Sequence, residues 1–188
     1  MPSVDEPLLE TRDTTSLVGR SVGFVVLVYL AWQVAARGVT YSQSGLVLTI
    51  LDGTNFIFHE AGHVLFALFG SFIAALGGSL NQVAIPLMCT GYFVWKRQPA
   101  AAAATLFWAG ESLTHVAVYV ADARARALPL HGGDGVIHDW HYLLGELRLL
   151  DYAEGFGRLV FALGMLAILS ALGLLGLDIW GRLNQRRA

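Results

Sequence analysis

Two histidines and a glutamate lie close together in an otherwise apolar stretch of the sequence. His59 and His63 are four residues apart, so they share one face of a helix, and Glu60 follows the first of them. In a His-Glu-x-x-His pattern the two imidazoles can bind zinc while the glutamate serves as general base. A carboxylate at membrane depth is costly unless it faces protein, water or a metal. The pattern therefore predicts a Zn²⁺ site, with core histidines bonded to polar neighbours as the alternative.

A catalytic zinc site also needs a third protein ligand and an open position for water. The sequence offers two groups of candidates, which are Glu111, His115 and Asp122 at helical spacing, and His138, Asp139 and His141 in a later short segment. We predict His138 as the third ligand, with Asp139, Asp122 and Glu111 as alternatives.

Further polar residues precede the motif on the same helical face. Asp52 lies seven residues before His59, and Asn55 lies four before it. Asp52 could orient a ligand imidazole through a hydrogen bond. Equally, it could lie at the start of the helix, where the helix dipole favours a carboxylate.

The composition excludes several classes of protein. The chain has 188 residues, of which 55% are hydrophobic and 14% charged, whereas about 25% are charged in a typical globular protein. A formal net charge of -2 without a basic tract makes a nucleic-acid partner unexpected. The single cysteine, Cys89, excludes an internal disulfide and a cysteine-rich zinc module. The composition is that of a membrane protein with the lipid bilayer as its surroundings.

Long stretches without charge mark the predicted membrane helices. They lie between Arg20 and Arg37, between Glu60 and Lys96, and between Arg158 and Asp178, and they hold 16, 35 and 19 residues. Since roughly 20 apolar residues span the hydrocarbon core, the middle stretch is too long for one crossing. The pair Gly77-Gly78 predicts a break there, with helices over about 45–76 and 79–95, and residues 100–123 predict another helix. We therefore expect an all-α, polytopic helical bundle with about five transmembrane helices.

The remaining segments complete the predicted organisation. Residues 1–16 are expected to form a polar N-terminal tail rather than a removable signal, residues 17–181 a single transmembrane helical domain, and residues 182–188 a basic C-terminal tail. Within the domain, residues 124–155 are predicted to form a loop with a short interfacial helix. The glycine-rich stretch 132–135 predicts a turn, and His131 beside it is expected to be exposed. Residues 77–82 are expected to form a turn or an edge that receives an extended peptide.

The motif His59-Glu60-Ala61-Gly62-His63, inside a hydrophobic helix, resembles the site-2 protease family of intramembrane zinc metalloproteases. The resemblance covers about a fifth of the chain. It implies that His59 and His63 bind zinc and that Glu60 activates water. That family takes its remaining ligand from an Asn-Pro-Asp-Gly-like segment, which this sequence lacks after the motif. The chain is also similar to small bacterial multi-span proteins with the same motif and later Asp-Ala-Arg and His-Asp-Trp segments, here at 122–124 and 138–140.

These similarities imply a metallopeptidase of the bacterial inner membrane that cleaves a membrane protein or peptide. Two other functions remain open. A di-iron oxidase or hydroxylase could use a larger ligand set, namely His59, His63, Glu111, His115, His138 and His141. In a non-catalytic metal-binding membrane subunit, the histidines would bind the metal and Glu60 would have no catalytic role.

Overall fold

The computed structural model describes residues 6–40, 45–128 and 138–187. These residues form six α-helices, which are α1 (Glu6–Arg37), α2 (Leu46–Phe66), α3 (Ser71–Trp95), α4 (Pro99–Ala121), α5 (Asp139–Glu146) and α6 (Ala153–Gln185). Two 3₁₀ turns, Ala67–Phe69 and Leu150–Tyr152, precede α3 and α6. No strand occurs in the described ranges, so the predicted all-α class is confirmed. The turn expected at 132–135 and His131 lie outside the described residues.

Among the residues that the structure describes, three helical segments are long and apolar enough to cross a membrane. They are Ser16–Arg37, Ser71–Trp95 and Leu150–Gln185. The helices α2 and α4, of 21 and 23 residues, are long enough but not apolar enough to meet this requirement. Membrane association is therefore supported, whereas the expected number of about five spans is not confirmed.

The break between α2 and α3 lies at Gly70 rather than at Gly77-Gly78, so the predicted helix boundaries there are wrong. Gly70 has a φ of 92°, a conformation that side-chain-bearing residues rarely adopt. Gly77 and Gly78 lie inside α3, where α2 approaches closely, and a Cβ on Gly62 of α2 would overlap the carbonyl oxygen of Gly77. Residues 77–82 are accordingly neither a turn nor an edge.

Close contact between backbones also joins α4 to α6, and these two helices share the most extensive contact of the helix pairs described. A Cβ on Gly110 would lie 2.7 Å from the carbonyl oxygen of Gly164, and one on Gly164 would lie 2.7 Å from that of Gly110. Small residues at such a crossing allow dense packing. Next to it, α1 packs on α6 around a buried cluster formed by Leu30, Ala31, Val34, Leu48, Phe107, Ile168 and Ala171.

The ends of the long helices extend beyond their predicted limits. Helix α1 begins at Glu6, so much of the predicted polar tail is helical, and α6 continues to Gln185. Arg20 on α1 forms an ion pair with Asp178 on α6, with 2.7 Å between Nε and Oδ2. This pair fixes the start of the apolar part of α1 against the end of α6.

Candidate metal centre

Helix α2 places the motif histidines one turn apart. His59 is buried and His63 half-buried, and their rings meet edge to face with 4.8 Å between centroids. Glu60 is exposed. Each of the three side chains offers a ligand atom within 4.8 Å of the others. The sequence-based expectation that these residues could hold a metal ion is therefore supported, while the identity of the metal is not shown.

Helix α3 fixes the orientation of the His59 ring. The Nδ1 atom of His59 lies 2.9 Å from Oε1 of Gln82. The amide nitrogen of Gln82 donates to Ser112 on α4, both to its carbonyl oxygen at 3.3 Å and to Oγ at 3.2 Å, which turns the amide oxygen towards His59. Because that oxygen can only accept a hydrogen bond, Nδ1 of His59 carries the proton.

The His63 ring is oriented in the same way by the backbone of α3. Its Nδ1 atom lies 2.8 Å from the carbonyl oxygen of Ala74. A carbonyl oxygen is an acceptor only, so Nδ1 is again the donor. In the neutral form of both rings, the remaining nitrogen, Nε2, therefore has a free lone pair.

Both Nε2 atoms face one carboxylate oxygen. The Oδ2 atom of Asp139 lies 3.0 Å from Nε2 of His59 and 3.3 Å from Nε2 of His63. Two imidazole lone pairs and a carboxylate oxygen that converge in this way repel one another unless positive charge lies between them. Protons on the imidazoles or a metal cation would supply that charge, and two histidines with a carboxylate form a known type of zinc site.

His138 does not face this pair, because both of its ring nitrogens have other partners. It caps the start of α5, where Nδ1 accepts a hydrogen bond from the backbone N–H of His141 at 3.2 Å. Its Nε2–H donates to Oδ2 of Asp122, also at 3.2 Å. Burial lowers the pKa of His138, although Asp122 acts in the opposite direction, so the ring is neutral at neutral pH. The residue beside the histidine pair is thus Asp139, one of the alternatives named from the sequence.

Helix α5 is the short helix expected in the loop, and side chains of the residues after Asp139 attach it to the bundle. The indole N–H of Trp140 donates to Oγ of Ser79 on α3 at 3.0 Å. The Nδ1–H of His141 donates to the carbonyl oxygen of Ala123 at 2.8 Å. These bonds hold α5 over α3 and the end of α4, so the Asp139 carboxylate reaches α2.

Other polar residues predicted from the sequence form a second network, which is buried around Glu111 and half-buried at Asp52 and His115. Glu111 is fully buried, and its Oε2 accepts a hydrogen bond from the Asn55 amide at 2.8 Å while Oε1 lies 3.5 Å from Nη2 of Arg37. Asp52 lies 3.6 Å from Nη1 of Arg37 and 3.9 Å from Nε2 of His115. Arg37, Asp52 and Glu111 form an ionic network that joins α1, α2 and α4, with His115 beside it. Neither Glu111 nor His115 joins the ligand group of His59 and His63.

The residues that orient the histidines were missed by sequence reasoning. Ala74, Gly78 and Gln82 recur every four residues along α3, and this stripe faces α2. A Cβ on Gly78 would lie 2.7 Å from Nε2 of His59, so the stripe supplies both space and hydrogen-bond acceptors. The signal that could have identified this stripe was the position of Gln82, one helical turn after Gly78 in a stretch without charged residues.

Comparison with known proteins assigns no family to the chain. No protein-family model, curated protein or solved structure matches it. The geometry of the metal centre is therefore the basis for a functional proposal.

Proposed function

We propose that this protein is an integral-membrane zinc metallopeptidase that hydrolyses peptide bonds of a membrane-associated protein or peptide. The observation that carries the proposal is the convergence of the Nε2 atoms of His59 and His63 on Oδ2 of Asp139, at 3.0 and 3.3 Å. In this proposal His59, His63 and Asp139 are the zinc ligands, and Asp139 replaces His138 as the third. Three protein ligands leave a fourth position open for water or substrate.

The donor set suits zinc. Each imidazole donates its Nδ1–H to an oxygen, of Gln82 or of Ala74, and such bonds orient ligand rings and increase their basicity. Bound zinc would polarise a substrate carbonyl and lower the pKa of water to about 7.

Glu60 is the proposed general base. It follows His59 directly on α2 and is exposed, so a substrate can reach it from outside the bundle. Its carboxylate accepts a proton from the water whose oxygen forms a bond to the carbonyl carbon. As the C–N bond breaks, Glu60 returns this proton to the amine nitrogen, and the products are a carboxylic acid and an amine.

A membrane location supports a membrane-associated substrate. Around Glu60, the α2 surface carries the exposed apolar residues Ile57 and Val64, 67% and 76% exposed, and these can contact lipid or an apolar polypeptide. We place α2 and α4 in the membrane as well, because α2 packs on α3, and α4 packs between α3 and α6. This gives five membrane helices, and the resemblance to site-2 proteases and small bacterial membrane proteins favours the bacterial inner membrane.

The test combines metal analysis with a hydrolysis assay. Wild-type protein purified in detergent is expected to contain one zinc ion per chain. Reconstituted in lipid vesicles with a set of single-span membrane segments, it should yield cleavage fragments that mass spectrometry identifies. Glu60→Gln should keep the zinc but cleave about 10²–10⁴-fold more slowly, the usual contribution of a general base.

Glu146→Gln is the matched control, because Glu146 is also an exposed glutamate but lies at the end of α5. It should retain both zinc and hydrolysis. Wild-type protein without stoichiometric metal would contradict the proposal. Two iron ions per chain would favour an oxidase, and zinc binding without hydrolysis of any segment would favour a non-catalytic metal-binding subunit.

A further inference from the structure

Tyr119, on α4, contacts the first residue of α5. Its hydroxyl oxygen accepts a hydrogen bond from the backbone N–H of Asp139 at 3.1 Å. The first N–H groups of a helix have no acceptor within that helix. A side chain of α4 thus satisfies the backbone of the residue whose carboxylate faces the two histidines.

The Tyr119 ring contacts two histidine rings, of which only His59 belongs to the candidate metal centre. It stacks on the His138 ring with 4.2 Å between centroids and a 30° angle between planes, and it meets the His59 ring edge-on at 6.0 Å. Tyr119 therefore touches the helix that carries the histidines and the helix that carries the carboxylate.

This placement matters because zinc accepts carboxylate oxygens only within a narrow range, about 2.0–2.2 Å. Trp140 and His141 attach the following residues of α5 to Ser79 and Ala123, which fixes the body of the helix. Helix ends fray more readily than helix interiors. The position of the first residue, Asp139, thus depends on the contact with Tyr119.

We infer that Tyr119 is a positioning residue, which holds Asp139 where its carboxylate can complete the metal site formed with His59 and His63. This inference rests on the proposed function, because it assumes that Asp139 is a ligand. Groups that orient metal ligands typically change metal affinity 10–100-fold.

The test is a double-mutant cycle on zinc affinity in the full-length protein in detergent, measured by competition with a chromophoric chelator. Tyr119→Phe removes only the hydroxyl and is expected to weaken zinc binding about 10–100-fold. In the Asp139→Ala background, Tyr119→Phe should cause no further loss, because Tyr119 acts through Asp139. Cobalt-substituted Tyr119→Phe should also show an altered visible absorption spectrum, which reports on the ligand field.

Tyr142→Phe is the matched control. Tyr142 lies on α5, and its hydroxyl is 2.9 Å from Oγ of Ser71, so this variant removes a bond that attaches α5 without touching Asp139. It should bind zinc like the wild type. Wild-type affinity in Tyr119→Phe, or an equal loss in the presence and absence of the Asp139 carboxylate, would overturn the inference and leave the proposed function intact. Failure of the wild-type protein to bind zinc would overturn both the inference about Tyr119 and the proposed function.

Discussion

The Oδ2 atom of Asp139 lies 3.0 Å from Nε2 of His59, although 80 residues separate them in the sequence. His59 lies in the middle of a bundle helix, whereas Asp139 is the first residue of a short helix that follows α4. Both histidine side chains are turned towards Asp139 by acceptors on α3. Three separate helices are therefore needed to define the geometry of the candidate metal centre.

The third ligand of the proposed zinc site can be identified by substituting each of two adjacent residues separately. Asp139→Asn should weaken zinc binding by more than the roughly 10–100-fold lost with a supporting group, because a neutral amide replaces the carboxylate. His138→Asn should largely retain zinc, since asparagine also caps helix starts well. Chelator competition measures both affinities. The reverse order of effects would return His138 to the ligand set and remove Asp139.

The acceptor behind His59 should contribute to metal affinity without touching the metal. Gln82→Leu removes the oxygen that lies 2.9 Å from Nδ1 of His59, so the ring loses its fixed tautomer and orientation. Zinc affinity should fall about 10–100-fold. Gln82→Glu keeps an acceptor oxygen and should bind zinc more tightly than Gln82→Leu. Equal affinities for the two variants would show that this oxygen does not orient the ligand.

A methyl group at Gly78 should displace His59. The added Cβ would lie 2.7 Å from the Nε2 atom of this histidine, closer than van der Waals contact allows. Alanine is a better helix former than glycine by about 1 kcal/mol, so Gly78→Ala should keep α3 helical while lowering zinc affinity. Circular dichroism and chelator competition separate these effects.

Gly91→Ala provides the comparison, because Gly91 lies on the same helix and a Cβ added there would meet nothing within 4 Å. It should gain the same helix propensity and keep wild-type zinc affinity. If both variants bind zinc equally, the close approach of Gly78 to His59 does not limit the site.

The ionic network at the end of α1 should matter for stability. Arg37→Met removes the Nη2 hydrogen bonds to the fully buried Glu111 and to Thr114, and leaving a buried polar group without its partner costs about 1–3 kcal/mol. Unfolding in detergent micelles measures the change. Arg37→Met combined with Glu111→Gln should recover part of the lost stability, because the neutral glutamine amide needs no cation beside it.

The exposed pair Arg158–Glu154 serves as the reference for that measurement. Both side chains are 69% exposed and lie one turn apart on α6, so Arg158→Met should cost about 0.5 kcal/mol or less. A similar cost for Arg37→Met would show that the network at Glu111 does not stabilise the bundle.

The part of the site that could be predicted from the sequence is local. His59 and His63 share a helical face because of their spacing alone. Their shared face does not depend on how the helix packs in the bundle. The contact with Asp139 depends on how α5 packs against α3 and α4, which no local pattern encodes. His138 and Asp139 are neighbours whose side chains contact different partners, so the sequence could narrow the choice of third ligand without deciding it.

The glycines explain the error in the helix boundaries. A glycine can end a helix through a positive φ, as Gly70 does, or allow a second helix to approach, as Gly77 and Gly78 do. The sequence contains both kinds within nine residues, and the double glycine was the more conspicuous signal. Only the packing partner, α2, distinguishes the two uses.

The location of Asp139 after α4 has a consequence for biogenesis. A nascent chain emerges from the ribosome N-terminus first, so His59 and His63 are made well before the aspartate is translated. Until α5 has been made and has docked, the growing polypeptide presents only two imidazoles. In the proposed metallopeptidase, loading with metal is thus expected late in synthesis, and hydrolysis is expected only once most of the bundle has assembled.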